Sequence, residues 1–328
     1  MAHCASRTSV PAAAARARRN QYASPVPEPT AAAELRFDLQ SHSTRSDGAL
    51  EPAEVVAAAA RAGVRLLALT DHDTLAGVPE ALKAGSEQGI EVVPAIEISA
   101  IDDGGERGVA RELHILGYLV DHTDPSFTST LAGFLADREQ RTLRMADGLR
   151  ALSIELDERA ITARVSAGEP IGRPHLAEAA LSHPANARRL REEEIDDVGS
   201  FIRAYLIEGK PAFSLRVTPT VAEAICAIHG AGGVAIWAHP FWDVSDPVEA
   251  LSTIGRFRAL GIDGVEAFYV THTHEQTELL ANRCAELDML STGSADFHSP
   301  ENRLFSRFMA FETYGLAPNL GPIAALLH

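Results

Sequence analysis

The chain has 328 residues, 46% apolar and 23% charged, with 45 acidic residues against 29 basic ones and a net charge of −16. That excludes global disorder, and the acid excess argues against a general polyanion binder. The three distant cysteines (Cys4, Cys226, Cys284) exclude a disulfide framework and a cysteine-based zinc site, and with no 18-residue apolar run no membrane span is expected.

Residues 1–33 hold four arginines against one glutamate, a local +3, with Pro11, Pro25, Pro27 and Pro29 and no apolar periodicity. They are expected to form a disordered tail. From Leu35 the texture changes. Arg36–Leu39 reads as a short strand. Glu51–Ala62 reads as a helix with Pro52 in its first turn and Gly63 just past its end. Leu66–Thr70 is a buried strand, Pro79–Gln88 a helix, Glu91–Ile96 a strand and Leu113–Val120 another. The alternation resumes with a helix over Thr220–His229, a strand over Gly233–Trp237, a helix over Val248–Leu260 and a strand over Gly264–Tyr269. A helix over Gln276–Glu286 and a strand over Leu290–Gly293 follow. Repeated β-then-α units imply a parallel sheet or barrel. Between the two halves the strands stop, and Leu131–Leu152 reads as one long helix. The expected organisation is a tail (1–33), a first barrel part (34–123), a helical insertion (124–218) and a second barrel part (219–328).

The polar clusters fall where the strands end. Asp38-Leu39-Gln40-Ser41-His42, with Asp47, follows the first strand. Asp71-His72-Asp73 follows the second, and Glu97 the third. His114 lies on the fourth, His239-Pro240 follows the fifth, and Asp296-Phe297-His298 follows the last. In βα barrels this edge carries the active site. One such histidine would more often be a core or loop residue than a ligand, but a set at successive strands is not coincidence. Residues i and i+2 of a strand point to the same side, so Gln40 with His42, and Asp296 with His298, can each aim two donors at one centre. Imidazole plus carboxylate without thiolate suits Mn, Fe or Zn. Glu97, set among apolar neighbours, is costly to bury unless paired or metal-bound.

The segments Asp38–Ser43, Ser46-Asp47-Gly48, Leu69–Thr74, Ile96–Ser99, His114–Tyr118, Ala238-His239-Pro240 and Gly293–His298 resemble, in order, the motifs of the PHP (polymerase and histidinol phosphatase) family. The resemblance runs from about residue 35 to residue 300. It implies an α/β fold, a distorted (β/α)7 TIM-like barrel, with two or three divalent metals and phosphoester hydrolysis. The implied ligand set is Gln40, His42, Asp47, His72, Glu97, His114, His239, Asp296 and His298, with Glu97, His239 and His298 in catalytic roles. Manganese is the expected metal, with Fe, Zn or Mg as alternatives. Gln40 departs from the pattern, since the family usually has histidine there. Its amide oxygen is a weaker donor than imidazole for Zn or Fe, so the metal served by Gln40 and His42 is expected to bind weakly or not at all.

Within the insertion, Arg138 and Arg141 share a helix face, and Gly172-Arg173-Pro174-His175 follows. Spacing alone makes them solvated charges. The resemblance instead implies the subgroup of nucleotide phosphatases and short-RNA exonucleases, in which the insertion is a lid whose arginines hold a phosphate that is not cleaved. Arginine's planar fork suits that task. His175 is expected either to assist as a donor or proton carrier or to play a structural part. His272 and His274 read as an exposed loop and helix start rather than ligands. Trp237 and Trp242 flank His239, and either could stack a base, although Trp237 better fits the core. Cys226 reads as core.

The implied reaction is attack on phosphorus by metal-activated water, with charge taken up by metals and lid arginines. The implied substrate is a nucleotide with a 5′-phosphate and a phosphoester at its 3′ oxygen. That covers 3′,5′-bisphosphonucleosides and short 5′-phosphorylated RNA, but no long duplex nucleic acid and no membrane. Histidinol-phosphate phosphatase is the alternative among enzymes, and a degenerate, non-catalytic nucleotide-binding PHP module is the alternative outside them. A cytoplasmic protein is expected.

Overall fold

Among the described residues, seven strands succeed one another round a single sheet in chain order. They are β1 (Phe37–Asp38), β2 (Leu66–Leu69), β3 (Glu91–Asp102), β4 (Arg111–Tyr118), β5 (Val234–Trp237), β6 (Gly264–Tyr269) and β7 (Leu290–Ser294). The computed structural model describes residues 36–105 and 110–327. The tail expected over residues 1–33 lies outside them. Beyond β1 the sheet closes on itself: Leu39 N donates to Gly293 O at 3.2 Å, and Ser41 forms a parallel bridge with Phe297. The result is the expected distorted TIM-like barrel.

One expectation fails. β4 runs antiparallel to both β3 and β5, while the other neighbouring pairs are parallel. A parallel return needs a crossover of a dozen or more residues, usually a helix. Only residues 103–110 separate β3 from β4, so the chain turns straight back.

Around the barrel, α1 (Pro52–Ala62) buries Pro52, Val55, Val56 and Ala59, the i, i+3, i+4, i+7 stripe of an amphipathic helix, and Gly63 ends it in the left-handed region at φ 85°. α2 (Val78–Gln88) follows β2 and packs in the same apolar cluster as α1. After β4 come α3 (Pro125–Ala151), α4 (Glu158–Ala167), α5 (Arg173–Ser182), α6 (Ala187–Glu192) and α7 (Val198–Tyr205). α3 starts earlier than sequence periodicity suggests because the Asp124 side chain accepts from Ser126 N and caps it. Its first half puts Phe127, Leu131 and Phe134 into the barrel's apolar core. Its second half puts Met145 and Leu149 into a separate core with Leu176, Leu190 and Phe201.

α8 (Val221–Gly230), α9 (Pro240–Asp243), α10 (Pro247–Leu260) and α11 (His274–Glu286) complete the ring. Trp237 is fully buried, edge-on to Phe257 at 5.2 Å, whereas Cys226 is half-buried rather than core. Among the described residues no helix is long and apolar enough to cross a membrane.

Candidate metal centre

Buried carboxylates that point away from the centre set its loops. Asp38 at the end of β1 accepts from Ala295 N at 3.0 Å and Met309 N at 2.7 Å, tying β1 to the segment after β7. Asp71 accepts from Ser43 N, Ser43 Oγ and Ser46 Oγ at 2.6–2.7 Å, which folds the 43–48 loop back over the strand ends. That loop delivers Asp47. Gly48 lets it pass, because a Cβ there would stand 2.2 Å from His42 O. Asp73, His239 and Asp296 have positive φ (55°, 29° and 55°), a conformation uncommon for residues other than glycine.

The structure brings all nine expected positions together. Glu97 stands at the middle. Its Oε1 lies 2.6 Å from His114 Nδ1 and 3.3 Å from His239 Nε2. Its Oε2 lies 3.1 Å from His42 Nε2 and 3.6 Å from His72 Nδ1. His42 Nε2 is also 3.1 Å from Asp296 Oδ1. Asp47 meets His42, His72 and His298 at 3.6–3.7 Å. Among the described residues, three overlapping groups have donor atoms mutually close enough to hold a cation: Glu97 with His114 and His239, His42 with His72 and Glu97, and His42 with Asp47 and His298. His72 Nδ1 is buried without a hydrogen-bond partner, and the 3.1 Å approach of His42 Nε2 to Asp296 Oδ1, both buried atoms, does not have hydrogen-bond geometry. Buried polar atoms are rarely left so, and a divalent cation fits this donor set.

The imidazoles and carboxylates of this set are electrostatically linked: burial would lower His239, but Glu97 and Asp243 raise it to about 10. Burial alone would raise the Glu97 carboxyl, but His72 and His114 hold it well below the usual range. Asp47 is likewise lowered, with burial outweighed by His72, His298 and His42. Burial pushes the His72 imidazole down to about 3, so it is a neutral donor at pH 7. These carboxylates are anionic before any cation arrives.

Gln40 takes a different part. Its Nε2 donates to Glu97 Oε2 at 2.9 Å, while its Oε1 faces Ser294 Oγ at 3.3 Å. Ser294 Oγ also lies 2.6 Å from Glu266, a buried residue on β6 that sequence reasoning missed and whose carboxyl burial raises to about 8.

The lid arginines divide. Arg138 is buried and donates to Asp73 Oδ2 (3.1 Å), Ser99 Oγ (2.9 Å) and Ile171 O (3.1 Å). Arg141 is 2% exposed, pairs with Glu112 and donates to Ser214 O at 2.8 Å. Arg173 is the open one. Its side chain is 26% exposed, with Nη1 3.7 Å from Glu112. Burial alone would raise the Glu112 carboxyl, but Arg173 and Arg141 hold it at about 2. Arg216 was also missed. It is fully buried, donating to Asp73 Oδ2 and Phe134 O at 2.6 Å each. Nothing in its local sequence marks it. Asp73, by contrast, lies in the quoted Asp71-His72-Asp73 run.

His175 has both ring nitrogens engaged. Nδ1 accepts from Gly172 N at 3.2 Å, and Nε2 lies 3.1 Å from Ser46 O. Burial, then Arg164, lowers it to about 4, so it is neutral and ties α5 to the Asp47 loop. His272 is buried rather than exposed, because Nδ1 bonds Ala267 O at 3.1 Å and its ring packs on Phe241 and Tyr269. His274 is exposed and stacks on Tyr314. Neither belongs to the centre.

A barrel whose strand ends converge imidazoles and carboxylates on one central glutamate defines a metal-dependent hydrolase architecture. The chain belongs to the PHP family. The PHP domain model matches residues 38–182. A 5′-3′ exoribonuclease from Haemophilus influenzae is 35% identical over 81% of this chain and 90% of its own length. A 3′,5′-nucleoside bisphosphate phosphatase from Chromobacterium violaceum is 31% identical over 80% and 87%. Among solved structures, an amidohydrolase from Chromobacterium violaceum with bound sulfate and no metal superposes with a TM-score of 0.72 at 28% identity, covering 88% of this chain and 93% of that one. A Bifidobacterium adolescentis protein described as a metal-dependent phosphoesterase gives 0.66 at 29% identity, covering 82% and 89%.

Proposed function

We propose that this chain hydrolyses the 3′-phosphoester of nucleotides that carry a 5′-phosphate, as mononucleotides, as short RNA, or as both. One observation carries the reading. On β4, His114 faces Glu97 while Glu112, two residues away, lies among Arg141 and Arg173. Residues i and i+2 share a side of a strand and lie about 7 Å apart. The donor set and a separate anion-binding cluster are therefore neighbours, a span that one ribose bearing two phosphates can bridge.

His42, Asp47, His72, Glu97, His114, His239, Asp296 and His298 would hold two or three divalent ions, with manganese the best match to mixed nitrogen and oxygen donors. When bound, such ions supply Lewis acidity and activate water for attack on phosphorus. Glu97 spans the groups with both carboxylate oxygens, and His239 and His298 flank the scissile position. Arg173, the exposed lid guanidinium, would take the 5′-phosphate in exchange for Glu112, with Arg141 behind it. Arg138 and His175 hold the lid in place. Helices between residues 124 and 218 form that lid over the strand ends. The acidic balance and a single local anion site favour a small or short substrate over a long duplex.

The deciding assay compares 3′,5′-bisphosphoadenosine, a 5′-phosphorylated oligoribonucleotide and histidinol phosphate, each with Mn, Mg and Zn. Phosphate release from histidinol phosphate alone would overturn the substrate assignment. No turnover with any metal would leave a binding module.

A further inference from the structure

Trp242 is 56% exposed, although its indole sits at the mouth of the metal centre. It occupies α9, three residues after His239, and Trp242 N donates to His239 O at 2.9 Å. It lines one open cleft of about 140 Å³ with His42, His114, His239, His298 and Phe305. The Phe305 ring lies 5.8 Å from Trp242 and 5.4 Å from His298. Phe305 is itself fixed. Its carbonyl accepts from His298 N at 2.9 Å, and its N–H and that of Leu304 donate to Asn302 Oδ1 at 3.0 Å. The indole is thus braced on one side and open on the other. Leaving a large aromatic face in water forgoes the stabilisation that burial would give, and at the edge of a binding cleft such a face marks a contact surface.

We infer that Trp242, braced by Phe305, is the stacking platform for the base of the nucleotide whose 3′ oxygen carries the scissile phosphate. The inference rests on the nucleotide-hydrolase reading above. Three features select a base as the occupant. The platform adjoins His239, whose Nε2 lies 3.3 Å from Glu97 Oε1 in the centre. The anion cluster around Glu112 already accounts for the other phosphate. The exposed face presents an aromatic plane, with Phe305 beside it. Stacking is tolerant of sequence because every base has a π-face. The site should therefore accept all four bases and favour purines by their larger overlap.

Two measurements test this. The first is the ratio of kcat/KM for adenosine 3′,5′-bisphosphate to that for ribose 3,5-bisphosphate, which lacks the base. That ratio should fall roughly tenfold in Trp242→Ala and much less in Trp242→Phe. An unchanged ratio in the alanine variant overturns the platform. The second is tryptophan fluorescence of the manganese-loaded protein during titration with adenosine 5′-monophosphate. Trp237 is buried, so quenching should report Trp242 and vanish in Trp242→Phe. Absence of quenching in the unmodified protein overturns the inference. If the unmodified protein turns over neither bisphosphate, the hydrolase reading fails, and the quenching experiment still decides the platform.

Discussion

The Gln40 amide nitrogen donates to Glu97 Oε2 across 2.9 Å. An amide nitrogen is a hydrogen-bond donor and offers no lone pair to a cation. In this orientation the Gln40 amide nitrogen steadies the central carboxylate, while its oxygen accepts from Ser294 Oγ. Replacing Gln40 by histidine should raise metal content or tighten its binding. Elemental analysis after dialysis against metal-limited buffer reads this directly, and identical content and affinity in both proteins would refute it.

Asp73 neutralises two buried guanidinium groups, Arg138 and Arg216, and accepts from Ser99 N at 3.1 Å. Removing one partner of a buried ion pair costs about 3–5 kcal/mol, because the remaining charge stays buried. Asp73→Asn is therefore expected to lower stability by that order in chemical denaturation, with the metals removed beforehand. A loss below about 1 kcal/mol, typical of exposed pairs, would show that the cluster is solvated.

The arginines around Glu112 should separate by role. Arg173→Ala is expected to raise KM for substrates bearing a 5′-phosphate roughly tenfold, the scale of one charge-assisted hydrogen bond, with less effect on a generic phosphomonoester. Arg141→Ala should first lower the thermal midpoint, since it strips a buried carboxylate of its partner. Equal kinetic losses on both substrates in Arg173→Ala would rule out an anchor for the second phosphate.

Glu112 also gives a pH signature. Its carboxyl is held at about 2 against an ordinary 4.5. A depressed folded-state value stabilises the fold above about pH 4.5, and that contribution is lost as pH falls toward 2. Denaturation midpoints across this window should fall less steeply in Glu112→Gln than in the unmodified chain. Parallel slopes would contradict the assignment.

Gly48→Ala tests how the Asp47 loop is seated. The added methyl would meet the His42 backbone oxygen, which cannot swing away as a side chain could. The loop must shift, so metal affinity should drop while most of the barrel stays folded. Circular dichroism and a metal titration distinguish this from general unfolding. Unchanged affinity would mean that the loop has slack.

Much of the barrel is legible from local pattern. β2 is a continuous apolar run, and α1 and α10 end at Gly63 and Gly261, so strand, helix and stop are written within a few residues. The candidate donors are legible because most follow β1, β2, β5 and β7 directly, whereas Glu97 and His114 lie within β3 and β4. What escapes is set by contacts distant in sequence. The reversal of β4 depends on the shortness of its connection to β3. The pairing of Arg216 with Asp73 joins residues 143 positions apart. Arg138 and Arg141 show the same limit: spacing places them on one helix face, but only the fold reveals that each already has a carboxylate.

The two-core helix α3 has a mechanical consequence. Its first half is fixed in the barrel and its second half in the insertion, and Arg138 between them is bonded to Asp73, Ser99 and Ile171. At 1.5 Å per residue, 27 residues make a beam of about 40 Å. For the insertion to swing as a hinged flap, that beam would have to break beside its strongest tether. In the proposed reading, an anchor for the second phosphate would therefore be built in advance. Its entropic cost is met when the chain folds rather than when substrate arrives. On the same reading, substrate would enter and product leave on the open side, past Trp242.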